Sequence, residues 1–192
     1  MKDVVQTLKS GMVVSIDRNL SLRVMAEKDI TSTYVAWLND DEVVQYTEQR
    51  FHYTTADDVK SFIDKIAVDP TELMYGIFFD DLHIGNIKLG TINSQHQTAS
   101  LSYLIGARKW WGKGIASRAI ATISDIGFQR IGLMKICAGV YENNIASSKA
   151  LVKNGYFLEG RRVGQYVYQD KRIDALLYAK HKDTYTAVKS ES

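Results

Sequence analysis

The sequence predicts a single α/β (α+β) domain in which helices pack against a mixed sheet. Three observations carry this. Apolar spacing switches repeatedly between a period of two and a period near 3.6, giving the order β-α-α-β-β-β-α-β-α-β-β. Two apolar runs flank Asp80–Asp81, a hairpin signature. The 192 residues contain one proline, Pro70, and no linker-like stretch, so at roughly 150 residues per domain one domain is expected. Residues 1–19 read as a polar-leaning lead-in, 20–182 as the domain and 183–192 as a frayed tail.

Leu20–Met25 alternates as a strand, and Asp29 is placed to cap a helix running to Leu38. Asp57–Ile66 puts Val59, Phe62, Ile63 and Ile66 on one helical face. The hairpin at Asp80–Asp81 follows. Ala99–Ile105 alternates, with Leu101, Tyr103 and Ile105 on one face and Ser100 and Ser102 on the other. A helix is expected from about Gly114 to Arg130, a strand over Lys135–Val140 and a short helix over Ala146–Lys153 stopped by Gly155. Two last strands, Arg161–Val167 and Ile173–Ala179, flank a polar turn at Gln169–Lys171.

Composition excludes several classes. Hydrophobic content of 45% and charged content of 24% are those of a globular chain. Net charge is +2, too balanced for a nucleic-acid footprint. The single cysteine, Cys137, forbids an internal disulfide, and its apolar strand marks it as a core residue. No apolar run approaches the roughly 20 residues that span a bilayer, and the N-terminal segment lacks a signal-peptide core, so a cytoplasmic protein is expected. His52, His83, His96 and His181 form no ligand pair, so no metal is expected.

The chemistry lies in two segments. In the first, a strand runs into Lys109-Trp110-Trp111-Gly112-Lys113-Gly114 and then a helix. Glycines let the backbone approach a ligand, and the first helical amides face outward at the positive end of the dipole. That is an anion site, although a tight turn alone also explains a Gly-x-Gly. A Walker loop is absent, and Ser117 stands where a dinucleotide fingerprint needs its third glycine. In the second segment, Asn144-Ile145-Ala146-Ser147 opens a helix that ends at Gly155-Tyr156; alone, Asn144 reads as an N-cap.

Together the two segments resemble the GNAT superfamily of acyl-CoA N-acyltransferases, on the side of the ribosomal-protein alanine N-acetyltransferases. Lys109 stands where the superfamily loop usually carries Gln or Arg. The resemblance spans about residues 20–182, from a WLNDDEV segment ending the first helix to Asp174–Tyr178. It implies a mixed, mostly antiparallel sheet of about seven strands flanked by about four helices.

The resemblance also implies acetyl-CoA as cosubstrate and a primary amine as acceptor. Amides from Trp111 through Gly112, Lys113, Gly114 and Ile115 to Ala116 would hold the pyrophosphate, with Lys109 beside them. The pantetheine arm would pair along Tyr103, Leu104 and Ile105, the Leu104 amide donating to the thioester oxygen, and Asn144 would touch the arm. Leu151 occupies the tyrosine position that many members use to assist the departing thiolate, leaving Ser147 as substitute. The usual carboxylate positions hold Ser100 and Tyr166. Glu48 is therefore the substitute base, the alternative being a solvated loop carboxylate, and Asp174 is a second candidate or a structural hydrogen-bond acceptor in the last strand; burial by Tyr46 and Phe51 would tune Glu48, and Arg50 would pair with it or contact a substrate anion. Trp110 and Trp111 would wall the cofactor or pack the loop, and packing is expected for at least one. The acceptor is read as an amino-sugar nucleotide or a protein N-terminus, since the acidic residues are too dispersed for a polyamine groove; a homodimer is allowed, and neither nucleic acid nor membrane is a partner. The alternative is an acyl-CoA-binding regulatory module without turnover.

Overall fold

The computed structural model describes residues 1–11 and 13–182. The expected tail lies outside the described residues.

Among the described residues, eight strands form one sheet: β1 (Val13–Ser15), β2 (Leu20–Arg23), β3 (Leu73–Phe79), β4 (Leu82–Asn93), β5 (Thr98–Ile105), β6 (Lys135–Tyr141), β7 (Phe157–Tyr168) and β8 (Lys171–His181). Their spatial order is β1-β2-β3-β4-β5-β6-β8-β7, and β5–β6 is the one parallel pair within a mostly antiparallel sheet. That pair is short. Thr98–Ser100 opposes Lys135–Cys137, but β5 continues to Ile105 and β6 to Tyr141 without pairing further. The sheet therefore splits at its centre, and the site is built on this split.

Helices cover both faces. Helices α1 (Lys2–Lys9), α5 (Ile115–Asp125) and α6 (Ile145–Lys153) pack in one core with Leu22, Tyr75, Ile77 and Leu101. Helices α2 (Ser32–Leu38), α3 (Asp41–Val44) and α4 (Ala56–Val68) pack in the other with Met25, Met74 and Phe78. On β3, Leu73, Tyr75 and Ile77 face the first core while Met74 and Phe78 face the second, the period-two alternation of a strand buried on both sides. Asp80 and Asp81 have φ of +46° and +62°, the two left-handed residues that a tight hairpin requires.

Several boundaries differ from expectation. Residues read as a lead-in form α1, which buries Val5 and Leu8 completely and ties itself to α4 through Lys9 Nζ donating to the Ile66 carbonyl at 2.6 Å. They also form β1, so the sheet has eight strands, not seven. Thr31, not Asp29, caps α2. Asp29 is buried and takes two hydrogen bonds from the Arg23 guanidinium at 2.8 and 2.9 Å. The long helix ends at Asp125 and widens into a π turn over Ile126–Ile131, where Gly127 sits against Leu89, Leu133 and Ile136. Cys137 is not a core residue: the alternation of β6 turns Ile136 and Ala138 inward and leaves Cys137 half-buried on the opposite face. Burial pushes its thiol pKa up, the reverse of an activated nucleophile.

Candidate active site

Two clefts meet at the split in the sheet. The first, of about 430 Å³, lies between the end of β5, the following loop and helices α5 and α6. The second, of about 860 Å³, lies on the opposite face, between α2, α4, the 3₁₀ turn Glu48–Phe51 and strands β4 and β5. Thr47, Tyr103 and Leu104 line both.

The first cleft is bordered by a glycine loop and the N-terminus of α5. Gly112 and Gly114 hold φ of +71° and +73°, which L side chains rarely adopt, and a Cβ on either would meet nothing within 4 Å. The first backbone bond of α5 is Arg118 N–H to Gly114 C=O at 3.1 Å, so the amides of Ile115, Ala116 and Ser117 have no partner within the helix. They face the cleft at the positive end of an 11-residue helix. The expected run of amides is one residue too long, because the Trp111 N–H already bonds the Arg108 carbonyl at 2.9 Å. Trp111 contributes its ring instead: it lines the cleft, and its Nε1 donates to the Ile105 carbonyl at 2.7 Å. Trp110 is the packing tryptophan, its ring centroid 4.1 Å from that of Phe79. The ammonium groups of Lys109 and Lys113 lie against the Trp110 ring rather than in the cleft wall.

The phase of β5 decides which amides face the opening. Gly106 N–H donates to the Ile84 carbonyl of β4 at 3.0 Å, and the register from Ile105 back to Ser100 is unbroken. Alternation then directs the Leu104 N–H toward β4 and those of Tyr103 and Ile105 toward the open edge. The Ile105 carbonyl accepting from Trp111 agrees with this. The Leu104 N–H is therefore turned toward β4 and away from the opening, and of its two neighbours Tyr103 is the one whose edge Trp111 leaves clear.

Across the opening, Asn144 Oδ1 accepts from the Ser147 N–H at 3.1 Å, so Asn144 is an N-cap and a cleft residue at once. The Tyr103 phenol donates to Ser147 Oγ at 2.8 Å. Burial raises the Tyr103 pKa, which keeps the phenol protonated and able to donate. Leu151 is fully buried in the core.

On the opposite face, Glu48 lines the second cleft and accepts from the Tyr141 hydroxyl at 2.9 Å. It stays exposed, and Tyr141, not Tyr46 or Phe51, supplies the contact; the Phe51 ring itself is 61% exposed. The Tyr141 pKa is pushed up to about 12, first by burial and then by the Glu48 carboxylate. Its ring stacks on Tyr166 at 3.8 Å between centroids. Arg50 does not pair with Glu48. Its guanidinium bonds the Val167 carbonyl and lies over the rings of Phe51, Tyr141 and Tyr168, pinning the β7–β8 hairpin to the 3₁₀ turn. Ser100 takes a hydrogen bond from Thr91. Asp174 is structural: it accepts from the Gly164 N–H at 2.7 Å and from Arg161 at 2.9 Å, where β7 bulges.

Residues 19–156 match the family described as the acetyltransferase (GNAT) domain. The chain belongs to the GNAT acetyltransferase family. A Bacillus subtilis protein, the uncharacterized N-acetyltransferase YoaA, is 28% identical over 163 residues, 82% of this chain and 89% of that protein. The spermidine N(1)-acetyltransferase of Escherichia coli K12 is 25% identical over 88% of this chain and 89% of its own length. Among solved structures, the ribosomal L7/L12 α-N-protein acetyltransferase RimL with coenzyme A superposes with a TM-score of 0.81 at 17% identity, over 91% of this chain and all of that one.

As a GNAT N-acetyltransferase the chain takes acetyl-CoA as cosubstrate, and the first cleft fits it. The left-handed glycines and the unpartnered amides of α5 suit a pyrophosphate, and the open edge of β5 offers strand-like pairing to an amide-bearing arm. Sequence reasoning missed the Tyr103 and Tyr141 hydroxyls. The alternation of β5 places Tyr103 on the correct face, but nothing local in the sequence puts Ser147 across from it. No group of three or more His, Cys, Asp or Glu among the described residues is placed to hold a metal ion, and none of their helices is long and apolar enough to cross a membrane.

Proposed function

We propose that this GNAT enzyme acetylates a primary amine by direct attack on the thioester, the cosubstrate lying in the first cleft and the amine entering from the second. The shared wall of Thr47, Tyr103 and Leu104 carries this reading, because it marks where a group held in one cleft is reachable from the other. The amides of Gly112 to Ala116 hold the pyrophosphate. The Tyr103 amide, at the open edge, donates to the carbonyl oxygen that gains charge as the amine adds. Ser147 O–H hydrogen-bonds the sulfur as the C–S bond breaks. Glu48 accepts the ammonium proton directly or through one water, since an alkyl ammonium with a pKa near 10 is almost wholly charged at neutral pH.

The acceptor we propose is the primary amine of a small molecule or of a peptide N-terminus. Glu48 and Asp58 line the second cleft together with His52 and Lys88, and Lys88 is neutralised by Glu72 at 2.8 Å. Arg50, bound to the hairpin, supplies no argument for a phosphate-bearing acceptor. Release of free thiol from acetyl-CoA, measured against a panel of peptide N-termini, amino sugars, amino-sugar nucleotides and polyamines, tests the proposal. Amine-dependent release with Glu48→Gln strongly impaired supports it; acetyl-CoA binding with no amine-dependent release from any member refutes it.

A further inference from the structure

A serine or threonine hydroxyl on a helix can donate its proton to a carbonyl one turn back. Thr7 and Thr122 do so here, donating to Asp3 and Arg118 at 2.8 and 3.1 Å. Ser147 makes no such bond. Its backbone N–H is held by Asn144, and its Oγ accepts from the Tyr103 phenol at 2.8 Å. A hydroxyl has one proton and two lone pairs. With one lone pair facing Tyr103, the Ser147 proton is turned away from the phenol, and both residues line the first cleft. The partners are held independently, Tyr103 by β5 and Ser147 by α6, so the bond joins a strand to a separate helix.

We infer that Tyr103 is a positioning residue for the acetyl transfer: by donating to Ser147 Oγ it aims the Ser147 proton at the departing sulfur. The inference rests on the role proposed above for Ser147. The amine nitrogen forms the new N–C bond, and the C–S bonding pair stays on sulfur. The ammonium gives one proton to Glu48 or water before the nitrogen attacks, and the nitrogen loses its second proton to water as the intermediate collapses. Ser147 keeps its proton and offers a charge-assisted hydrogen bond to the thiolate, which takes a proton from water afterwards. Tyr103 changes protonation in no step, which accords with a phenol that burial keeps protonated.

A double-mutant cycle in the full-length enzyme, with acetyl-CoA and the best amine of the panel, tests this. Tyr103→Phe keeps the ring, and thermal melts and the Kd for coenzyme A check that the fold and the cleft survive. Expected is a fall in kcat of about 2- to 12-fold, the worth of one neutral hydrogen bond, with the KM for acetyl-CoA unchanged. In the Ser147→Ala background the same substitution leaves kcat unaltered, because there is no hydroxyl to aim. A fluorinated tyrosine at 103, with a lower phenol pKa, supplies a readout that a wall residue does not move: kcat falls at a pH where the natural tyrosine keeps its proton. An equal loss in both backgrounds, a change in KM alone, or a fluorotyrosine enzyme with the native pH profile overturns the inference. If Ser147→Ala by itself leaves kcat intact, the proposed role of Ser147 fails first and the inference falls with it.

Discussion

Gly114→Ala separates the two properties of the loop, its conformation and its vacancy for a ligand. Gly114 sits at φ +73°, ψ +9° immediately before α5. A left-handed L-residue costs roughly 1–2 kcal/mol, and the stiffer unfolded chain returns about 0.4–1 kcal/mol, so the net destabilisation is about 1 kcal/mol. In a domain of this size that lowers Tm by about 2–4 °C. The new methyl meets no atom of the protein within 4 Å, so no packing penalty is added. It projects where the amide cradle is expected to take the pyrophosphate, and coenzyme A affinity is expected to drop at least about tenfold, or 1.4 kcal/mol. Calorimetric titration with coenzyme A, beside a thermal melt of the free enzyme, reads the two effects separately. A variant with the small Tm shift but native affinity would refute the assignment of this loop to the pyrophosphate. Native Tm would refute the strain argument instead.

Ser147→Ala is expected to lower kcat more than it raises the KM for acetyl-CoA, because the bond to sulfur matters chiefly in the transition state; steady-state kinetics showing a change in KM alone would leave Ser147 as a binding contact. Glu48→Gln keeps the bond from Tyr141 while removing the base, and a loss of about 10²–10⁴-fold with the ascending pH limb moved or abolished is expected; an unchanged pH–rate profile would assign Glu48 only to holding Tyr141. His83 is ringed by Tyr34, Trp37 and Phe78, and its Nδ1 is buried without a partner, so burial lowers its pKa from 6.5. The unfolded chain then binds the proton more readily than the folded one, and stability is present above the ordinary value and lost as pH falls below it; urea melts at pH 5 and 7 should show this, with the difference reduced in His83→Gln. Gly106→Ala would drive a Cβ into the Trp37 ring, and a loss of about 1–3 kcal/mol by chemical denaturation is expected, with no loss disproving the close approach.

The signals legible in the sequence are those with a local cause. Strand alternation in Ala99–Ile105 assigns Tyr103 to the same face as Leu101, and that is the face on which α6 packs. The left-handed glycines of the loop follow from the need for positive φ beside a ligand. Errors arose where a local signal competes with packing. Asp29 has the chemistry of a cap, but the Arg23 guanidinium lies within reach and takes both its oxygens. Arg50 and Glu48 are near in sequence, yet the hairpin carrying Val167 and Tyr168 folds over that turn and draws the guanidinium away. Residues 1–19 look polar because α1 exposes most of its surface and buries only a narrow stripe.

By itself, then, the sequence determined the order of elements from Leu20 onward apart from the short α3, the glycine loop before α5 and the Asn144–Ser147 helix start, since each rests on residues within a turn or two of one another. Tertiary structure decided the rest of the site. Where β5 and β6 part, which amides of β5 face the gap, and which hydroxyl meets Ser147 all depend on strand pairing. The partners Tyr103 and Ser147 lie 44 positions apart in the chain, and Glu48 and Tyr141 lie 93 apart. Such pairings are set by the packing of whole helices and strands, whose free energy is shared among many buried contacts and written in no short stretch of the chain.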